Sequence, residues 1–520
     1  MFLKLSKIFL CAAFFAPAVV LFSTFFPFIG GKYYFFRAAT ELALTAVILW
    51  WGFEAQRGAM QTRLKKLFDE PIVVAVTVFT GIFLIACFLG YDANAAFWSN
   101  FERGEGGFQM LHYYLFFLLS LFLLREEKEW KRVLWVAVIA SACVVLYGVA
   151  AAAHITNFIG PYANGEPTFL GRLFSPDIRF QGSLGNPAYV APYLIFAMFY
   201  TFFLWGMNEG KKRATLRTAG YMLLGLFFLI FFVLTQTKGG GVGLAAATYA
   251  FLIYIGFSER RYRFIALVTI AASLIVGGTL MHFKDSIARI PGARLLDLPL
   301  SGSQLILGGM GAFLLALFII VLAEKRYRKW ARIGIVGLLI GGSIFVATSG
   351  SLARLSDRTA NTRFWTWGSA WKGFVERPLL GWGPENFSAV FDKYFDPRHF
   401  TPGVDSETWF DRAHSVIFDY LAETGILGFV SYIAMFAAFF WQFIGFSRHR
   451  AQGGGDAPKE HPDTRMPFRV EGSSVTRGLL VALPVAYLVQ GLAIFDVLPM
   501  YINLFFFFAL TSYVFSTRTQ

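Results

Sequence analysis

DRAHSVIFDYLAETGILGF, residues 411–429, places Asp411, Arg412 and His414 within four residues and then passes into an apolar run that continues to residue 445. An apolar run of about 18 residues or more has the length of a membrane-crossing helix. Comparable runs recur along all 520 residues, of which 56% are hydrophobic and only 15% charged. A soluble chain carries nearer a quarter charged residues, roughly 25%. The composition therefore predicts an all-α polytopic membrane protein, with one integral membrane domain over 1–520.

Candidate spans fall at roughly 8–29, 36–53, 71–90, 107–124, 133–153, 187–206, 218–235, 241–257, 264–281, 304–323, 333–349, 416–445, 478–496 and 498–516. The 36–53 run is short for a span, as a tilted or re-entrant segment would be. The first run outlasts a usual signal-peptide core and reads as an anchor. Between the spans, basic residues cluster in short segments such as REEKEWKR (125–132), EGKKRATLR (209–217) and AEKRYRKWAR (323–332). Short basic loops mark the cytoplasmic side, so the N-terminus is expected inside and the alternate loops outside. The net charge of +14 then belongs to membrane topology and not to a nucleic-acid surface.

Three segments depart from the hydropathy pattern. Residues 446–477 are rich in Gly, Pro and charge and read as a flexible cytoplasmic linker. A medium outer loop covers 154–186. Residues 350–415 form a long extracytoplasmic loop with helical patches of its own. In it, Phe364, Trp367, Trp371 and Phe374 recur at three- and four-residue spacing, an amphipathic helix, before Pro378, Gly381, Gly383 and Pro384 break the pattern. Long ordered loops usually carry function.

No H-E-x-x-H, phosphate-binding G-x-x-x-x-G-K-[ST] or D-x-D motif occurs, so neither a metal nor a nucleotide cofactor is expected. Cys11, Cys87 and Cys143 sit inside apolar runs and read as small core residues.

The polar residues at the outer membrane edge carry the chemical signal. Arg179, Lys238, Arg363 and His414 all fall on outward segments of the expected topology. Cations grouped at an outer leaflet suit a lipid diphosphate, because charge-assisted bonds to phosphate oxygens are strong and arginine binds them bidentately. Lys238 lies in TKGGG, whose backbone N–H groups near a helix start also favour anions. Each cation taken alone fits an interfacial side chain that snorkels to water equally well. His414 can take a proton from an acceptor hydroxyl near neutral pH, and Asp411 can orient its ring if both lie on the first helical turn. A helix-start histidine that simply meets water fits the same position.

His414-Ser415, nine residues, then Gly425-Ile426-Leu427-Gly428 resembles the H-[NSQ]-x9-G-x-x-[GTY] signature of bacterial O-antigen ligases. RFQGSLGNPAYVAPYL, LTQTKGG and TRFWTWGSAWKGFVERPLLGWGPENF are similar to further segments of the wider superfamily of O-antigen ligases, O-antigen polymerases and protein O-oligosaccharyltransferases. That resemblance runs from about residue 71 to 445. It implies transfer of a glycan from an undecaprenyl-diphosphate carrier to a glycolipid, glycan or protein acceptor, without a metal and with inversion at the anomeric carbon. It also implies a bacterial inner membrane with the active site facing outward, and about 12–14 transmembrane helices, twelve being usual in ligases. His414 matches the histidine that activates the acceptor, and Arg363 the loop arginine that holds the diphosphate. Lys238 stands where arginine is usual, a point charge in place of a planar fork. Arg179 is expected to assist in binding the diphosphate, and Trp365, Trp367 and Trp371 to face glycan or lipid. Polymerase action by the same donor site remains an alternative, as does a lipid-linked oligosaccharide transporter, which would place charges at mid-membrane depth and pair broken helices.

Overall fold

A computed structural model describes residues 1–54, 67–100, 102–156, 162–163, 167–175, 178–207, 214–260, 262–264, 266–270, 358–401, 405–406, 408–452 and 474–516. Among these, eight helices are long and apolar enough to cross a membrane: Pro71–Phe88, Glu127–Ala152, Pro187–Gly206, Leu216–Leu234, Lys238–Ser258, Val416–Gly445, Ser474–Gly491 and Leu498–Phe515. A shorter apolar helix covers Gly107–Leu123. The protein is an all-α polytopic membrane protein, apart from a two-residue antiparallel ladder that pairs Phe400–Thr401 with Asp405–Ser406. The spans predicted at 304–323 and 333–349, most of 264–281, and residues 453–473 of the linker lie outside the described residues.

Local chemistry sets the helix ends. Pro71 and Pro187 open their helices, where a missing N–H costs nothing. Asn186 caps the second with a 2.9 Å bond from the Ala188 N–H. A reciprocal pair, Glu126 and Glu129, caps Glu127–Ala152. The Phe-rich helix Leu498–Ser516 lies innermost: Phe506 meets the rings of Phe14, Trp130 and Tyr200 at 4.8, 5.6 and 5.9 Å.

One expected span is corrected. The run 8–29 is not one span. Helix Phe2–Ala13 stops, a short 3-10 turn follows at Ala16–Ala18 with Pro17 inside it, and the next long helix begins at Gly30. Proline cannot continue the backbone ladder, and the buried Lys32 ammonium satisfies the freed carbonyls of Pro17 and Val19 at 2.8 and 2.6 Å. That second helix, Gly30–Phe53, is correspondingly longer than the run 36–53. The expected span 416–445 is present, with a break inside it. The helix Val416–Gln452 is interrupted at Gly425, which has φ 64° and ψ −166°.

The break at Gly425 is filled by backbone from the loop. Ile426 and Leu427 donate to the carbonyls of Pro378 and Leu379 at 2.8 and 3.2 Å. Trp382 and Gly383 donate to the carbonyls of Ala422 and Glu423 at 2.9 and 2.8 Å. A Cβ on Gly381 would sit 2.5 Å from the Glu423 carbonyl carbon, and one on Gly425 would strike the Leu379 backbone. The Pro-Leu-Leu-Gly-Trp-Gly turn is thus inserted against the helix. Behind it, helix Arg358–Glu376 and the short helix Phe387–Lys393 close a second apolar core of Ala370, Trp382, Phe387, Val390, Phe391, Phe410, Ala413 and Ala422.

Further backbone bonds tie distant segments together. Tyr91 donates to the Trp382 carbonyl at 2.6 Å, Phe180 to Leu234 at 2.9 Å, and Val416 to Ile494 at 3.1 Å.

Candidate active site

The residues before the helix at Val416 form a tightly held loop. His414 has a left-handed backbone, φ 56°, which costs a residue with a Cβ roughly 1–2 kcal/mol. Its neighbours hold it there. The Ala413 N–H donates to Asp419 Oδ1 at 2.6 Å, and the Ala413 carbonyl accepts from Trp367 Nε1 at 2.9 Å. Ala413 itself is fully buried.

The His414 ring stands edge-on to Phe410 and Phe495, with centroids 5.4 and 5.1 Å away. Its Nδ1 lies 3.2 Å from the Arg412 carbonyl oxygen. A carbonyl only accepts, so the contact is made by a ring that carries its proton on Nδ1, and the neutral ring presents a free lone pair on Nε2. Burial is the largest influence on this imidazole and lowers its pKa; the carbonyl contact opposes that, Arg363 and Arg103 add to it, and Asp411 opposes it. The net shift is downward from the ordinary histidine value, so the neutral form dominates at pH 7. Such a ring can accept a proton at Nε2.

Asp411 does not orient the ring. Neither residue lies on the helix, and the Asp411 carboxylate is taken by Arg103, whose Nε and a terminal nitrogen reach its two oxygens at 2.5 and 3.0 Å. Arg103 also donates to the Tyr189 hydroxyl at 2.9 Å and lies 5.1 Å from the Phe495 ring centroid. It thereby joins loop 99–106, the start of helix Pro187–Gly206 and the His414 loop. Its guanidinium also lines a small cavity with Lys32, Tyr33, Glu105 and Leu498.

Arg412 points the other way, into the protein. One terminal nitrogen reaches both Glu423 oxygens at 2.9 and 2.8 Å, and the other reaches Glu385. The Glu385 N–H donates to Glu423 Oε1 at 3.0 Å, and the Ser99 hydroxyl donates to Glu385 Oε2 at 2.7 Å. All three charged residues are buried.

The predicted cations divide into two groups. Arg363, half-buried on helix Arg358–Glu376, is close enough to His414 for its charge to act on the ring. Arg179 and Lys238 sit together at another rim. Arg179 donates to the Thr235 carbonyl at 3.0 Å and to the Thr237 hydroxyl at 3.1 Å, one residue before Lys238 opens helix Lys238–Ser258. Both are exposed. The N-cap residue of that helix, Thr237, makes no side-chain cap. This rim adjoins the His414 loop through Gly239, beside Ala493, and through Phe495.

Of the three tryptophans, Trp371 is the one with an open face, 51% exposed. Trp367 is half-buried, stacked on Phe418 at 5.1 Å and bonded to the Ala413 carbonyl, where it supports the loop backbone. Trp365 meets the His399 edge at 5.5 Å and the Arg398 guanidinium at 5.2 Å. Among the described residues, no three His, Cys, Asp or Glu side chains gather as metal ligands would.

Arg103, Glu385 and Glu423 were absent from the sequence-based site, and Arg412 had no role in it. A usable signal existed for Glu423. Asp419 and Glu423, four apart inside an apolar run, share one helix face, and acids within a span ordinarily face a partner.

Residues 292–433 match the family described as O-antigen ligase. The matched segment takes in Arg363, the inserted turn and the whole His414–Gly428 motif, and it stops short of Arg179, Lys238 and Arg103. The chain is therefore a membrane protein whose candidate site lies in a segment similar to O-antigen ligases. No curated protein matches the chain.

Proposed function

We propose that this protein is a membrane glycosyltransferase that moves a glycan from an undecaprenyl-diphosphate carrier to an acceptor hydroxyl on the extracytoplasmic side, with inversion and without a metal. The observation that carries the reading is the His414 ring. It is neutral and held by Nδ1, it lies within reach of the Arg363 charge, and it sits inside the segment that matches O-antigen ligases.

In this reading His414 Nε2 takes the proton from the acceptor O–H as that oxygen attacks the anomeric carbon. The bond from that carbon to the diphosphate oxygen breaks, and undecaprenyl diphosphate leaves with the electron pair. Arg363 stabilises the charge that builds on the leaving diphosphate. Arg179, Lys238 and the N-terminus of helix Lys238–Ser258 form an outer anion-attracting rim. Trp371 offers an exposed ring for sugar or lipid.

The test uses purified protein in lipid with an undecaprenyl-diphosphate-linked glycan and EDTA. Wild type releases undecaprenyl diphosphate; His414→Ala and Arg363→Ala release it far more slowly. Full turnover by His414→Ala would sink the reading. The mass of the product separates transfer to a distinct acceptor from joining of repeat units, and donor movement across the bilayer without cleavage would support a transporter instead.

A further inference from the structure

We infer that Arg412 is the positioning residue for His414: its guanidinium, clamped by Glu385 and Glu423, fixes the backbone carbonyl that selects the ring's Nδ1–H form. The inference rests on the proposed role of His414 as base.

Three observations support it. First, the group that meets Nδ1 is the Arg412 carbonyl at 3.2 Å, while the neighbouring carboxylate, Asp411, is held away by Arg103. In many acid–base sites a carboxylate or a carbonyl sets the histidine tautomer; here a carbonyl does it. The nearby Asp411 charge still acts on the ring, but its carboxylate is held by Arg103 and does not meet Nδ1.

Second, a carbonyl orients a ring only as well as its own peptide is held. The Arg412 side chain ties its residue to two separate elements, Glu385 after the inserted turn and Glu423 on the helix beyond His414. Ala413, next in sequence, is fixed on both sides by Asp419 and Trp367. The left-handed His414 backbone is therefore locked from each direction.

Third, the clamp is costly for stability alone. Removing charges from water carries a large penalty, and a buried ion pair is often no better than an apolar pair of the same volume. A buried arginine with two carboxylates, two residues before the reacting ring, is thus better explained by orientation than by stability. The charged and titratable groups that act on Arg412 include Glu423, Asp419, Arg103 and Tyr501, besides Glu385; those on His414 include Arg363, Asp411 and Arg103.

The experiment reads the ring directly. Histidine-15N-labelled protein in lipid nanodiscs gives imidazole shifts, and the His414 signal is assigned by its loss in His414→Ala. In wild type the signal is that of the Nδ1–H form. Glu423→Gln, which keeps shape and one acceptor, and Arg412→Lys, which keeps charge, both give mixed tautomers. With undecaprenyl-diphosphate-linked glycan, kcat falls about tenfold to a hundredfold, part of the hundredfold or more that a positioned base supplies, while the donor KM holds. A pure Nδ1–H signal with unchanged kcat in both folded variants would overturn the inference. If His414→Ala kept full turnover, the catalytic reading would fall, and the tautomer measurement would still decide the positioning one.

Discussion

Two regions supply the candidate chemistry, and they are built differently. The His414 loop is packed on every side: Ala413 and Arg412 are buried, the ring lies between two phenylalanines, and four elements bond to the successive residues Asp411, Arg412 and Ala413. The rim of Arg179 and Lys238 is exposed, and Arg179 reaches the Thr235 carbonyl and the Thr237 hydroxyl across to the neighbouring segment. A group that must act in one geometry is preorganised by burial, whereas a group that attracts a mobile anion works from water. Position errors matter far more in the first region than in the second.

That contrast can be broken by measurement. The largest effect is expected at the loop: His414→Ala should lower kcat by roughly a hundredfold to ten-thousandfold, the usual worth of a general base, with the donor KM little changed. An equal loss on replacing Arg179 would erase the distinction between loop and rim.

Arg363→Ala comes next. Loss of a charged hydrogen-bonding group costs about 1.5–3 kcal/mol, or roughly ten- to a hundredfold in kcat/KM. The same variant sharpens the electrostatics. His414 must be neutral to act, so activity is lost as pH falls through its pKa, and that pKa lies below the ordinary value. Removing the Arg363 cation raises it, so the acid limb of the rate profile should move to higher pH. A limb that stays in place or moves down would remove Arg363 from the ring's surroundings.

The smallest effect belongs to the rim. Lys238→Ala should raise the donor KM about threefold to fivefold at low salt, and the difference should fade at high ionic strength, because exposed charges are screened. Lys238→Arg should equal or exceed wild type. An unscreened effect would mean that Lys238 meets its anion in a dry site like that of the loop.

Much of this was legible in the chain. Eight apolar runs became spans, and the amphipathic spacing of Phe364, Trp367 and Trp371 became a helix. The glycines of the 414–428 motif also proved structural: Gly425 breaks the helix, and a Cβ on Gly428 would strike Thr424. Partner choice was not legible. Asp411 beside His414 in sequence suggested a local pair, but its partner Arg103 lies 308 residues away. Arg412 finds acids 27 residues before it and 11 after. Local spacing reports which residues can meet along one helix, and no spacing rule reports which loops converge. The first span failed for a similar reason, since hydropathy averages over Pro17 and its freed carbonyls are satisfied by Lys32 from the next helix.

The backbone pairing between residues 378–383 and the broken helix at Gly425 bears on how substrates arrive. Within a membrane an unpaired N–H or carbonyl costs several kcal/mol. The inserted turn supplies partners for both edges of the break, so lifting it would orphan those groups together. The Pro378–Gly383 turn is thus a fixed part of the wall. In the proposed reading, a bulky lipid-linked substrate enters past some other edge, with this turn standing still as it passes.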